Sequence, residues 1–419
     1  MSTTNPTKYK WVIAALCFLI ILVGLGFYSA TRSLFVLPIV NALHIQRSAF
    51  SLTDTCRFLA NSVTNLFFGA LVAKFGAKKL IGLGFSCLCL SALCLSFTVN
   101  VWMCYLGGVL MGVGFSFGST TIVSYVINRW FVEKKGTVMG AVLAANGIGG
   151  AIASQILTPI ITAHADGFRD AYRLLAIILF SVGVLLMIFF KDKPREEDTA
   201  AVTRGKRRGR NWVGIPFAKA IRSWYFYGIA VCIFLTGIIL QGVFGTLAAH
   251  MTDIGFSAEF ITTVMSIHSL SMTLFKFLTG VLYDRFGLRT TATICSVTAV
   301  ITGAMFATLT PTPLGMVMAI LFGFFSSLAM PLETIVVPLY ASDLFGQKSF
   351  DHILGVLISV NTAGFALASP ILNVCYDLCG SYTPALLVSC LVMAVVVVVL
   401  QFVIRSAHNV QKQIEEATI

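Results

Sequence analysis

The chain has 419 residues, of which 57% are hydrophobic and only 11% charged, and it carries a formal net charge of +12. Soluble domains are about 25% charged, so this composition excludes a soluble enzyme and a disordered scaffold. It also excludes a nucleic-acid-binding protein, because the placement of positive charge matters more than its sum. What remains is a polytopic membrane protein.

A membrane-crossing helix needs about 20 mostly apolar residues. Such runs predict an all-α membrane protein of twelve transmembrane helices. Helices 1 to 6 fall near 11–40, 48–72, 79–98, 102–127, 137–163 and 171–190. Residues 191–222 follow, with the charged run Lys191-Asp192-Lys193-Pro194-Arg195-Glu196-Glu197-Asp198 and then Arg204, Lys206, Arg207, Arg208 and Arg210. A stretch this polar cannot build a core and is expected to be a cytoplasmic linker resting on anionic lipid. Helices 7 to 12 fall near 224–250, 258–283, 290–309, 314–340, 350–376 and 383–404. The expected domains are therefore a six-helix bundle over 1–190, the linker over 191–222 and a second six-helix bundle over 223–419. The first apolar run is too long for a secretory signal peptide. The eleven cysteines sit almost wholly inside apolar runs without zinc-site spacing, so no metal or cofactor is expected.

Lys and Arg set the orientation. With the N-terminus inside, 23 of them fall on the cytoplasmic side and three, Arg47, Arg169 and Arg173, on the outer side. Both termini are expected to be cytoplasmic, in a cell (inner or plasma) membrane.

The halves repeat. Gly69-Ala-Leu-Val-Ala73-Lys74-Phe75-Gly76 matches Gly280-Val-Leu-Tyr-Asp284-Arg285-Phe286-Gly287 at an offset of 211. Gly167-Phe168-Arg169-Asp170-Ala171-Tyr172 corresponds to Gly380-Ser381-Tyr382-Thr383-Pro384-Ala385 at 213. Duplicated six-helix halves are the architecture of alternating-access carriers.

The pattern after helices 2 and 8 resembles the signature loop of the major facilitator superfamily, and the resemblance covers essentially the whole chain. Asn128-Arg129-Trp130-Phe131 with Glu133-Lys134-Lys135-Gly136 resembles the oxalate/formate antiporter and monocarboxylate transporter branch. The resemblance implies the major facilitator fold of two pseudo-repeated bundles, and a gating loop at Gly69 and Gly76 in the first repeat and Asp284, Arg285, Gly287 and Arg289 in the second. Ala73 stands where the family usually places Asp. The glycines of helix 5, Gly140, Gly147, Gly149 and Gly150, fit close helix packing.

Three cations fall inside the apolar spans: Arg32, Arg57 and Lys276. A charge there costs a few kcal/mol even on insertion scales, and persists where it pairs, lines water or meets a ligand. Arg57 lies three residues from Asp54 on one helical face, so the two can form a packing pair or serve function. Arg32 and Lys276 have no acid within helical reach in sequence. Resemblance to the carboxylate branch places a cation four residues before the signature glycine, as Lys276 stands before Gly280, and a basic residue followed by Ser in helix 1, as in Arg32-Ser33. It implies that Arg32 and Lys276, one from each half, hold a substrate carboxylate.

Two acids fall inside the spans, Asp54 and Glu333. Glu333, between Pro331 and Pro338, is either a proton carrier or a salt-bridge partner of Lys276. The branch places an Asp four residues before the helix 8 cation, where this chain has Met272. His268 is a further proton-site candidate, with core packing as its ordinary role. Tyr28, Asn65, Ser124, Tyr125, Asn146, Gln155, Gln241 and, in helix 11, Asn361 with Thr362 are polar cavity candidates, each an interhelical hydrogen-bonder first.

The expected function is secondary transport of a small organic anion, a monocarboxylate, by alternating access, as proton symport or anion exchange. The alternative is a carrier of a neutral or cationic solute, such as a sugar or drug, with structural embedded charges. The expected partners are the organic anion, membrane lipid and, for symport, protons. No nucleic acid is expected, and the chain is expected to act as a monomer.

Overall fold

A computed structural model describes residues 6–45, 47–131, 133–164, 166–192 and 214–416. Among them every regular element is helical. Among the described residues nine helical stretches are long and apolar enough to cross a membrane. One of these, Ala258–Ala307, joins helices 8 and 9 through non-helical backbone at Gly287. Helix 2 adds a bent span, Leu52–Leu66 followed at 61° by Phe68–Phe75, and helix 10 a broken one beginning with Pro313–Ser326. Twelve spans result.

The chain divides into two compact units, Met1–Asn211 with Leu354–Ser359, and Trp212–Ile353 with Val360–Ile419. Most of the expected linker, 193–213, lies outside the described residues. Its end is built into the second unit: Ile215 N donates to Phe345 O at 3.1 Å and Ser349 Oγ donates to Ile215 O at 3.1 Å. Helix 12 is longer than its hydropathy implied, running Thr383–Glu416.

Several spans expected to be continuous are interrupted. Helix 1 comprises Pro6–Ile21, a π-helical segment Leu22–Ser29, and Ser33–Leu43. Helix 4 breaks between Phe117 and Thr120. At the corresponding place in the second repeat, helix 10 breaks after Ser326, passes through the π-helical segment Leu332–Val336 and resumes as Val337–Leu344. Pro338 lacks the N–H that an α-helical ladder needs, and the wider π turn accommodates that loss.

The sequence repeat is also a backbone repeat. Gly76 has φ 79° and ψ 160°, and Gly287, 211 residues later, has φ 80° and ψ 175°. Only glycine adopts that conformation without large strain, which explains why both copies of the loop motif end on it. In the first unit, Ala77 N then donates to Asp192 Oδ1 at 2.8 Å, satisfying one of the open N–H groups at the start of helix 3.

Helices 1 and 5 pack backbone to backbone. A Cβ on Gly26 would lie 2.6 Å from Gly149 Cα, and one on Gly150 would lie 2.9 Å from Ala30 Cβ. This close approach holds the π-helical segment of helix 1 in place. The second unit is held by an apolar cluster in which Phe306 and Phe322 stack at 4.6 Å beside Met251, Leu386 and Tyr382.

Candidate functional site: a two-arginine cluster, a buried lysine and a buried glutamate

In the first unit, the π-helical segment ends at Ser29 and the chain turns through Ala30–Arg32 before helix 1 resumes. That turn brings Arg32 to helix 2. Arg32 Nη1 and Arg57 Nη2 both reach Asp54 Oδ1, the latter at 2.9 Å. Arg57 Nη1 also donates to Ser29 Oγ at 3.2 Å. The i, i+3 spacing of Asp54 and Arg57 made their pairing readable in sequence. The acid that meets Arg32 was not, because it lies 22 positions away on another helix. Contrary to the local expectation, Arg32 therefore has a carboxylate partner.

The side chains of Arg32 and Arg57 are only 10% and 12% exposed, whereas Asp54 is 44% exposed. Two guanidiniums share one carboxylate, leaving one net positive charge. Arg32 Nη2 and Arg57 Nε are buried without a hydrogen-bond partner among the described residues. Unsatisfied buried donors are rare, and each costs about 1–3 kcal/mol. Aromatic rings complete the surround, with Phe58 centred 4.3 Å and Phe115 5.9 Å from the Arg57 guanidinium, and Phe50 5.7 Å from that of Arg32.

Tyr28 lies behind this cluster. Its hydroxyl shares a 2.8 Å hydrogen bond with Ser91 Oγ, which donates to Gly107 O at 2.6 Å. Three other polar candidates of this unit are also engaged. Asn65 Nδ2 donates to Asn61 O at 2.9 Å, Ser124 Oγ contacts Met139 Sδ at 3.5 Å, and Tyr125 accepts from Arg129. The side chain of Ser33 lies outside the described residues.

In the second unit, Lys276 on helix 8 is 3% exposed and Glu333 is 8% exposed. The π-helical segment of helix 10 carries Glu333, and the two charges act on each other electrostatically. Glu333 Oε1 has no hydrogen-bond partner among the described residues. His268 is turned to packing: its Nδ1 lies 2.9 Å from Ser326 Oγ and its ring 4.7 Å from that of Phe244. Asn361 Nδ2 donates to Ile233 O at 3.5 Å beside a small polar recess lined by Thr236, Ser296 and Tyr340.

The gating-loop residues are dispersed. Gly69 is buried inside helix 2. Asp284 is exposed, Arg285 lies over the Phe286 ring at 5.5 Å, and Arg289 Nε donates to Gln401 Oε1 on helix 12 at 2.7 Å. A buried acid that sequence reasoning missed, Asp343, accepts from Tyr283 Oη at 2.7 Å. It lies beyond the expected end of helix 10, where hydropathy alone gave it no membrane context. No group of three or more His, Cys, Asp or Glu residues suited to a metal ion occurs among the described residues.

The family model of the Major Facilitator Superfamily matches residues 16–347 and, in a second register, 229–418. The chain belongs to that superfamily and is a multi-pass membrane transporter. It is 28% identical over 240 residues to an uncharacterised MFS-type transporter, YcxA, of Bacillus subtilis, an alignment spanning 56% of this chain and 57% of that protein. It is 24% identical to monocarboxylate transporter 13 of Rattus norvegicus over 76% of this chain and 72% of the relative. The solved structure of the Escherichia coli fucose:proton symporter superposes over 94% of this chain and 99% of that one, with a TM-score of 0.72 and 14% identity. At that identity the likeness defines the twelve-helix fold alone.

Proposed function

We propose that the protein is a secondary carrier of a small organic anion, a monocarboxylate, working by alternating access. The observation that carries this is the Arg32–Asp54–Arg57 cluster, with its net positive charge and its two unpartnered buried donors. A guanidinium presents parallel N–H groups that match a carboxylate, so a bound carboxylate would satisfy both the charge and the donors. Its path in lies on the half-exposed Asp54 side. The name of the rat relative, a monocarboxylate transporter, supports the same substrate class.

Lys276 is the second cationic candidate, with Glu333 as its counter-charge. Protonation of Glu333 during the cycle would make the carrier a symporter, and a permanently ionised Glu333 an anion exchanger. The distribution of Lys and Arg supports cytoplasmic termini in a cell (inner or plasma) membrane.

Counterflow into proteoliposomes preloaded with carboxylates, sugars, amino acids or organic cations tests the proposal. Uptake driven by carboxylates alone is expected. Uptake driven only by uncharged or cationic solutes would reduce the embedded charges to structural ions.

A further inference from the structure

In the first unit, helix 3 (Ala77–Ser96) packs along helix 6 (Gly167–Phe189). Two glycines set the approach. A Cβ on Gly82 would lie 2.7 Å from Met187 Sδ, and one on Gly183 would lie 3.1 Å from Phe85 Cβ. Both glycines line an open groove of about 500 Å³ between the two helices. Its outer walls are Leu83, Phe180, Val184 and Ile188, all exposed on the surface of the unit. Lys79 is its one charged lining residue and Cys89 lies near its other end.

From Lys79 to Cys89 is ten helical residues, about 15 Å at the usual rise. That is half of a hydrocarbon core about 30 Å thick, so the groove runs the depth of one leaflet, from a cation at the surface toward the midplane. In a multi-pass membrane protein an apolar channel of this length and direction matches a single acyl chain. Lipid tails are as apolar as the groove walls, so entry gains packing contact and little else. Selection among lipids then falls to the charged end. Lys79 is exposed and Lys78 beside it is half-buried. The neighbouring acid, Asp192, is engaged in accepting from Ala77 N at 2.8 Å. This end lies on the face proposed to be cytoplasmic, where anionic lipids concentrate. A zwitterionic headgroup also carries a phosphate, but its ammonium cancels the charge and is repelled by the two lysines.

We propose that this groove is a binding site for one anionic phospholipid, with an acyl chain between helices 3 and 6 and the phosphate at Lys79. The site is separate from the embedded charges and does not depend on which solute is carried.

The test is native mass spectrometry of the delipidated full chain in detergent, titrated with phosphatidylglycerol or with phosphatidylcholine of the same acyl chains. One phosphatidylglycerol is expected to be retained at concentrations where phosphatidylcholine is not. Lys79→Gln is expected to weaken that retention about five-fold, the range of one basic residue at an anionic lipid surface. Arg222→Gln, which removes an exposed cation from the second unit, is expected to leave it unchanged. Ser86→Trp, which fills the groove midway, is expected to abolish it, with the melting temperature measured alongside. Equal retention of the two lipids would overturn the proposal. So would equal losses in Lys79→Gln and Arg222→Gln, which would reduce the effect to diffuse surface charge, and so would full retention in a folded Ser86→Trp. The comparison of lipids on the wild type and on Lys79→Gln gives its answer even if Ser86→Trp does not fold.

Discussion

Asp54→Asn removes one charge and leaves the shape almost unchanged, so it isolates what the shared carboxylate does. In the wild type one oxygen of Asp54 takes both Arg32 and Arg57, the second at 2.9 Å. Hydrogen bonds to charged groups contribute about 1.5–3 kcal/mol each. Because Asp54 is 44% exposed, solvent screening lowers that value, and about 2–3 kcal/mol for the pair is a reasonable sum. The variant also leaves two guanidiniums facing each other with no counter-charge, so its melting temperature should fall by a few degrees. A carboxylate ligand then becomes the cluster's only counterion and should bind the variant more tightly. Ligand at about 100 times its Kd contributes about 2.7 kcal/mol of stabilisation, so a transported monocarboxylate, with phenylacetate as the probe, should recover most of the loss and shift the variant further than the wild type. The assay is thermal melting of detergent-purified protein, followed by loss of the monodisperse species, across a phenylacetate titration. A variant that melts with the wild type and gains no extra ligand shift would refute the coupling of these three side chains.

Lys276→Gln is expected to abolish counterflow with carboxylates, whereas Lys276→Arg, which keeps the charge on a bulkier head, should retain part of it. Wild-type rates in the Gln variant at unchanged folding would remove Lys276 from the transport cycle. Glu333→Gln should leave anion exchange running but eliminate accumulation driven by an imposed pH gradient, measured as uptake with and without that gradient. Persistent gradient-driven accumulation would exclude Glu333 as the proton carrier. Gly287→Ala places a Cβ at φ 80° and ψ 175° and should cost about 1–3 kcal/mol, read as a lower melting temperature. The same change at Gly76, where φ is 79°, should cost a similar amount.

Features with a short sequence period were legible. Apolar runs located the twelve spans, and the offset of 211 anticipated the matching conformations of Gly76 and Gly287. The prolines on either side of Glu333 were visible in the sequence, and the helix between them is a π-helical segment. The i, i+3 spacing gave Asp54 and Arg57. Contacts set by which helices lie side by side were not legible. Arg32 meets Asp54 only because helix 1 turns after its π segment, and nothing local in the sequence signals that turn. The break between helices 8 and 9, by contrast, was legible in the glycine of the signature loop, and it falls at Gly287, where the backbone is non-helical. Tyr283 and Asp343 are 60 positions apart, and a carboxylate at the end of an apolar run looks solvated until the neighbouring helix is in place.

The repeated backbone carries unrepeated charge. The position 211 residues after Arg57 is His268, and the position 211 before Lys276 is Asn65. Each of these two stand-ins is a neutral side chain tied to a hydrogen-bond partner within its own unit, His268 to Ser326 and Asn65 to Asn61. The two halves thus share a fold inheritance but have specialised separately. A chain assembled from two copies of the first half would retain both glycine kinks and carry the arginine cluster twice, with neither the buried lysine nor the buried glutamate. One assembled from two copies of the second half would lack the arginines altogether. Steric demands at Gly76 and Gly287 have been held fixed in both copies, while the ionic groups have diverged, so the halves are alike in form and not interchangeable in use.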